Sequence, residues 1–134
     1  MSKKWTFAAV GTRTGQSVPV VEVFTLSDGR QFAWAECGAK DGRPVVYLHG
    51  APGSIIEGAR SPYSAQFATT GVRLISIERA GYGVSTAFLG RRFIDIVPDV
   101  RALADHLSLD PFSAPWGLHD GLHWVAGCLW GVCI

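Results

Sequence analysis

The stretch VVYLHGAPGS, residues 45–54, constrains the fold more than any other part of the chain. Val45 to Leu48 are apolar without alternation, and the run stops at a loop of glycine and proline. A strand with one wet face alternates apolar and polar residues. A short uninterrupted apolar run reads instead as a strand covered on both faces, as in a parallel sheet. VRLISIE (72–78) reads as the next strand and runs into a second glycine-rich loop, RAGYGVS (79–85). Between the two lies a weaker helical stretch, residues 59–70, interrupted by Pro62. Ligands of parallel sheets bind at the carboxyl ends of the strands, and both loops fall there.

The flanking segments fit the same frame. VVEVFTL (20–26) is rich in β-branched residues, SDG (27–29) is a turn, and RQFAWAECG (30–38) is a second strand, so the pair reads as a hairpin. AKDGRP (39–44) is another turn. The clearest helix is residues 95–108. Ile96, Val97, Val100, Leu103, Ala104 and Leu107 share one face, and Asp99, Arg101, Asp105 and His106 share the other. Asp95 reads as its N-cap, Pro98 lies in the first turn and Pro111 just past the end. Hairpin, strand, loop, helix, strand, loop, helix is the order of an α/β protein: an antiparallel hairpin followed by parallel strands, with helices on both faces. Residues 1–17 carry mixed signals and read as an N-terminal arm.

Composition bounds the function classes. A chain of 134 residues with 48% hydrophobic and 17% charged residues is one globular domain. A net charge of +1 offers no field for nucleic acid, so no nucleic-acid partner is expected. The apolar part of MSKKWTFAAVG, Trp5 to Val10, is too short for a secretory leader, and LHWVAGCLWGVCI is shorter than the ~20 residues that span a bilayer. Neither a leader nor a membrane segment is expected. Three cysteines are an odd number with no CxxC, which argues against a disulfide framework and for the cytoplasm.

Four stretches, in order, resemble the N-terminal half of an α/β-hydrolase, in the branch of esterases, epoxide hydrolases and proline iminopeptidases. LSDGRQFAWAECG is similar to that family's opening hairpin. GRPVVYLHGAPGS resembles the strand and HGxPG loop that form the oxyanion hole. VRLISIERAGYGVS resembles the following strand and its D-x-R-G-x-G-x-S loop, with Glu78 where the family usually has aspartate. DVRALADHLSLDPF resembles the helix before the nucleophile strand. Acyl transfer builds negative charge on a carbonyl oxygen, and preorganised backbone N–H groups must meet it. The resemblance implies that the Ala51 N–H is one such donor and the Asp120 N–H, following the nucleophile slot, the other. His49 is expected to brace the loop, which Gly50, Pro52 and Gly53 shape. Arg79, Gly81, Tyr82, Gly83 and Ser85 are expected to be structural, and His106 to be a solvated helix residue. The substrate would be a small molecule, with no cofactor and no metal.

Residues 117–121, GLHDG, match the glycines of the nucleophile elbow, but His119 stands in the serine slot. Histidine has no hydroxyl for acyl transfer. Pro115 interrupts the expected central strand, and the family's acid and base, which come well after the elbow, have no matching positions. After Asp110 the only charged residue is Asp120, while Trp116, Trp124, Trp130, Cys128 and Cys133 crowd the same segment. A changed reading frame near residue 113 is one account of that shift. The resulting expectation is a truncated α/β-hydrolase domain over residues 18–134, inactive alone and with an open strand edge through which copies associate. Alternatives are a hydrolase completed by another chain and a non-catalytic binding protein on the same half-fold. His119-Asp120-Gly121-Leu122-His123 also imitates the zinc signature HExxH. The shorter aspartate, the glycine and the lack of a third ligand weigh against a metal there.

Overall fold

The computed structural model describes residues 3–5, 19–59 and 64–109. Its frame is a five-stranded sheet in the order β1-β2-β3-β5-β4. β1 (Lys3–Trp5), β2 (Val21–Thr25) and β3 (Gln31–Gly38) run antiparallel to one another. β5 (Val72–Ile77) lies antiparallel to β3 and parallel to β4 (Arg43–Leu48). α1 (Ile55–Ala59) and α2 (Ser64–Thr69) link β4 to β5. A 3-10 turn at Phe93–Asp95 leads into α3 (Ile96–His106).

The hairpin, the parallel pair and the last helix stand where the sequence places them. The alternation of side chains across each strand decides what covers the sheet. Phe24, Phe32, Trp34, Val46, Leu48, Ile75 and Ile77 face one way and pack against Ile96, Val100 and Leu103 of α3. Val21, Val23, Ala33 and Ala35 face the other way, toward Ile55 and Ala59 of α1. Helices therefore cover both faces, which is why β5 is buried along most of its length.

Several local readings are corrected. The helix between β4 and β5 begins at Ile55, not at residue 59, and Ser54-Ile55-Ile56-Glu57 explains why. Ser54 Oγ accepts the Ile56 N–H at 3.1 Å, and Glu57 Oε1 accepts the Ser54 N–H at 3.2 Å. These two bonds cap the helix start, the hydroxyl serving the second residue of the helix and the Glu57 carboxylate reaching back to Ser54, and satisfy donors that a helix start leaves open. Lys3–Trp5, assigned to an arm, pair as β1 along β2. Asp95 precedes α3, but its carboxylate makes no cap bond to that helix. It turns back to accept the Arg92 backbone N–H at 2.7 Å and the Arg92 guanidinium at 2.9 Å. Asp99 is buried, not solvated: Arg30, from the β2–β3 turn, donates to both of its oxygens at 2.8 and 2.6 Å. His106 is exposed but stacks on the Phe24 ring, with centroids 4.9 Å apart.

Candidate functional site

The loops that leave β4 and β5 meet beyond the ends of these strands, and buried polar groups tie them together. His49, the first residue past β4, is fully buried. The Arg79 backbone N–H donates to its Nε2 at 3.2 Å, so Nε2 carries a lone pair and Nδ1 the proton. Nδ1 then donates to the Gly50 carbonyl at 2.8 Å, a tautomer assigned from its partners. The ring rests edge-on against Tyr82, with centroids 4.9 Å apart. Arg79 holds its guanidinium over the rings of Tyr82 and Phe93. The histidine thus links the Gly50 carbonyl of its own loop to the Arg79 N–H of the neighbouring one.

Glu78 lies at the centre of the arrangement. It is buried, and its Oε1 accepts the Ile55 N–H at 3.1 Å while lying 3.3 Å from His49 Nε2. With the proton on Nδ1, the contact with His49 is not an ion pair. The Glu78 backbone is also held: its N–H donates to the Ala33 carbonyl at 2.8 Å. Ser85 Oγ accepts the Ala33 N–H and donates to the Glu78 carbonyl, both at 3.0 Å. Ser85 therefore stitches the β5 loop to β3, which is a structural role.

Ala51 and Pro52 project from this base and are exposed. Among the described residues the Ala51 N–H has no hydrogen-bond acceptor. Gly53 has no room for a side chain: a Cβ there would lie 2.7 Å from the Gly50 carbonyl oxygen and 3.0 Å from His49 Nδ1. The loop is thus folded tightly on His49, and Ala51, whose N–H has no acceptor among the described residues, stands at an exposed position. His119, Asp120, the flanking Gly117 and Gly121, and His123 lie outside the described residues, so the structure places none of them. No helix of the described residues is long and apolar enough to cross a membrane.

No family model matches the chain. A proline iminopeptidase of Arabidopsis thaliana is 30% identical over 124 residues, covering 87% of this chain and 30% of that protein. A probable proline iminopeptidase of Leptolyngbya boryana is 33% identical over 90 residues, 63% of this chain and 27% of that protein. An epoxide hydrolase structure from Vigna radiata superposes with a TM-score of 0.57 at 22% identity, covering 82% of this chain and 33% of that one. A hydrolase structure from Pseudomonas aeruginosa superposes with a TM-score of 0.54 at 23% identity, covering 80% of this chain and 38% of that one. The chain belongs to the α/β-hydrolase fold family. It spans about 30% of the length of the curated relatives it matches, and the match fits the N-terminal half of the hydrolase fold.

Within this hydrolase-fold chain, sequence reasoning found the HGAPG loop and the glycine-rich loop but missed what joins them. Glu78 was visible only as a departure from aspartate. That its carboxylate reaches α1 is a matter of chain reach that spacing does not reveal. The signal that could have led there is Ser54–Glu57, a capping pair that puts the Ile55 N–H at the start of a helix.

Proposed function

We propose that the chain supplies the oxyanion-stabilising half of a hydrolase site acting on an ester, epoxide or amide-type bond of a small molecule. The observation that carries this reading is the Ala51 N–H, which has no acceptor among the described residues, at an exposed position of a loop folded tightly on His49. A preorganised donor of this kind contributes roughly 3–4 kcal/mol where charge develops on a carbonyl oxygen. The relatives named proline iminopeptidase put an amide-type bond first among the three. The second donor is the Asp120 N–H, beside His119 in the nucleophile slot. An imidazole there supplies no hydroxyl for acyl transfer, so the 134-residue chain alone is expected to turn nothing over.

Two measurements test this. Purified protein should hydrolyse neither p-nitrophenyl acetate nor proline p-nitroanilide above background, and His119→Ser should not change that, because a serine needs a base and an orienting carboxylate as well. In an amide-resolved NMR titration with methylphosphonate, an oxyanion probe, the Ala51 N–H should move furthest among residues 49–54. Robust turnover would overturn the inactivity of the chain alone. No response anywhere in that loop would overturn the oxyanion role.

A further inference from the structure

We infer that Glu78 is the positioning residue of the Ala51 loop, and that its carboxyl group lies so close to Gly83 that a side chain at 83 would displace it; the inference rests on the oxyanion reading of that loop. The Glu78 carboxylate lies against both ends of the loop. His49 stands at the loop's start and Ile55 at its finish, and a single carboxylate oxygen lies 3.3 Å from the His49 ring and 3.1 Å from the Ile55 nitrogen. Its own backbone cannot drift, since Ala33 and Ser85 hold it on both sides. The end of the loop is therefore set by the reach of this side chain to the Ile55 N–H. An aspartate, the residue usual at this place in the family, is shorter by about 1.5 Å, one carbon–carbon bond, and cannot make that contact from the same backbone.

The extra length has to go somewhere, and it goes against Gly83. A Cβ on Gly83 would lie 2.5 Å from Glu78 Oε2 and 2.8 Å from its carboxyl carbon. Gly83 also has φ +50, a conformation other residues adopt at a cost. An ordinary side chain end would swing away from such a methyl group. Glu78 cannot do so without losing the Ile55 N–H. A side chain at 83 would therefore disturb the start of α1, and with it the Ala51 loop that leads into that helix.

The test is NMR on the whole chain. In the wild type a trans-hydrogen-bond coupling should connect the Ile55 nitrogen to the Glu78 carboxyl carbon, which requires no variant to fold. Glu78→Gln keeps the shape and the acceptor, and should leave the Ile55 and Ala51 amide signals and the His49 ring nitrogen shifts near their wild-type positions. Glu78→Asp should move all three and speed exchange of the Ile55 N–H about tenfold, as expected for one lost hydrogen bond, while the Leu103 methyl signals stay put. Gly83→Ala should move the same three signals in the wild type and move them less in the Glu78→Asp background, where the carboxylate has withdrawn. Absence of the coupling would overturn the inference. So would Glu78→Gln perturbing the loop as strongly as Glu78→Asp, or Gly83→Ala acting equally in both backgrounds. An Ala51 amide that answers to Glu78 but not to methylphosphonate would break the functional reading and leave the positioning role standing.

Discussion

On one face of the sheet Phe32, Trp34, Ile75 and Ile77 meet Ile96, Val100 and Leu103 of α3. On the other face the same strands present Ala33, Ala35 and Ser76 to Ile55, Gly58 and Ala59 of α1. Large side chains hold a helix away from a sheet and fill the gap with apolar atoms. Small ones let it come close enough for hydrogen bonding: Ser76 Oγ donates to the Ile55 carbonyl at 2.8 Å. Gly58 leaves so little space that a Cβ would lie 2.6 Å from the Tyr47 ring and 2.8 Å from Ser76 Oγ. The α3 face gives bulk stability by burial. The α1 face gives position, because the helix that closes the HGAPG loop is fixed by polar contacts and close approach. The two faces should therefore fail in opposite ways, one by losing atoms and the other by gaining them.

The largest effect is expected from Leu103→Ala on the α3 face. It removes a side chain that is 1% exposed and should cost about 3 kcal/mol in urea unfolding, from lost burial plus the cavity left behind. A cost under about 1 kcal/mol would show that α3 is not the main support of the sheet. Next is Asp99→Ala, which leaves Arg30 partly buried with Asp28 as its one carboxylate partner among the described residues. Stranding such a charge should cost about 2 kcal/mol in the same measurement, and Asp28→Ala, at the exposed end, much less. Gly58→Ala adds one methyl group to the α1 face and should cost about 1–2 kcal/mol by overpacking. If that substitution proved stabilising, the close approach of α1 would be wrong. The smallest effect concerns pH. Hydrogen bonds from Arg92 hold the Asp95 carboxyl below its ordinary value, and those from Arg30 do the same for Asp28. A carboxyl lowered in the folded state adds stability above its unfolded pKa of about 4, and loses it as the pH falls through the lower folded value. Arg92→Ala should return Asp95 to the usual carboxylate range in an NMR titration, with little change in stability because the Arg92 side chain is largely in solvent.

What the sequence disclosed follows the same division. The α3 face was legible because burial leaves a period. An uninterrupted apolar run marked β4, a mostly β-branched stretch before a glycine-rich loop marked β5, and the spacing of Ile96, Val100 and Leu103 marked α3. The α1 face left fainter traces. Ala33, Ala35, Ser76 and Gly58 are small, and smallness has no period that distinguishes a close contact from an idle position. Asp99 falls on the polar side of the helix in any one-dimensional reading, and its partner Arg30 is 69 residues away. The HGAPG loop was recognised by likeness, but the reach of Glu78 appears only once β4 and β5 stand side by side. His119 and Asp120 lie outside the described residues, so the elbow remains as the sequence presents it.

The bond between Arg30 and Asp99 has a further consequence, for cooperativity. Arg30 leaves the turn of the first hairpin, and Asp99 sits in the opening turns of the last described helix. Two charge-assisted bonds, 69 positions apart along the chain, close a loop that contains β3, β4, α1, α2 and β5. Closing so long a loop is entropically expensive once, and every contact formed inside it afterwards comes at lower entropic cost. The helix cannot fray from its first turn without the hairpin turn losing its anchor, and the hairpin cannot open while the helix is seated. Amides of the β2–β3 turn and of the first turns of α3 should accordingly share a single opening free energy in native-state hydrogen exchange, although nothing in the order of the chain relates them.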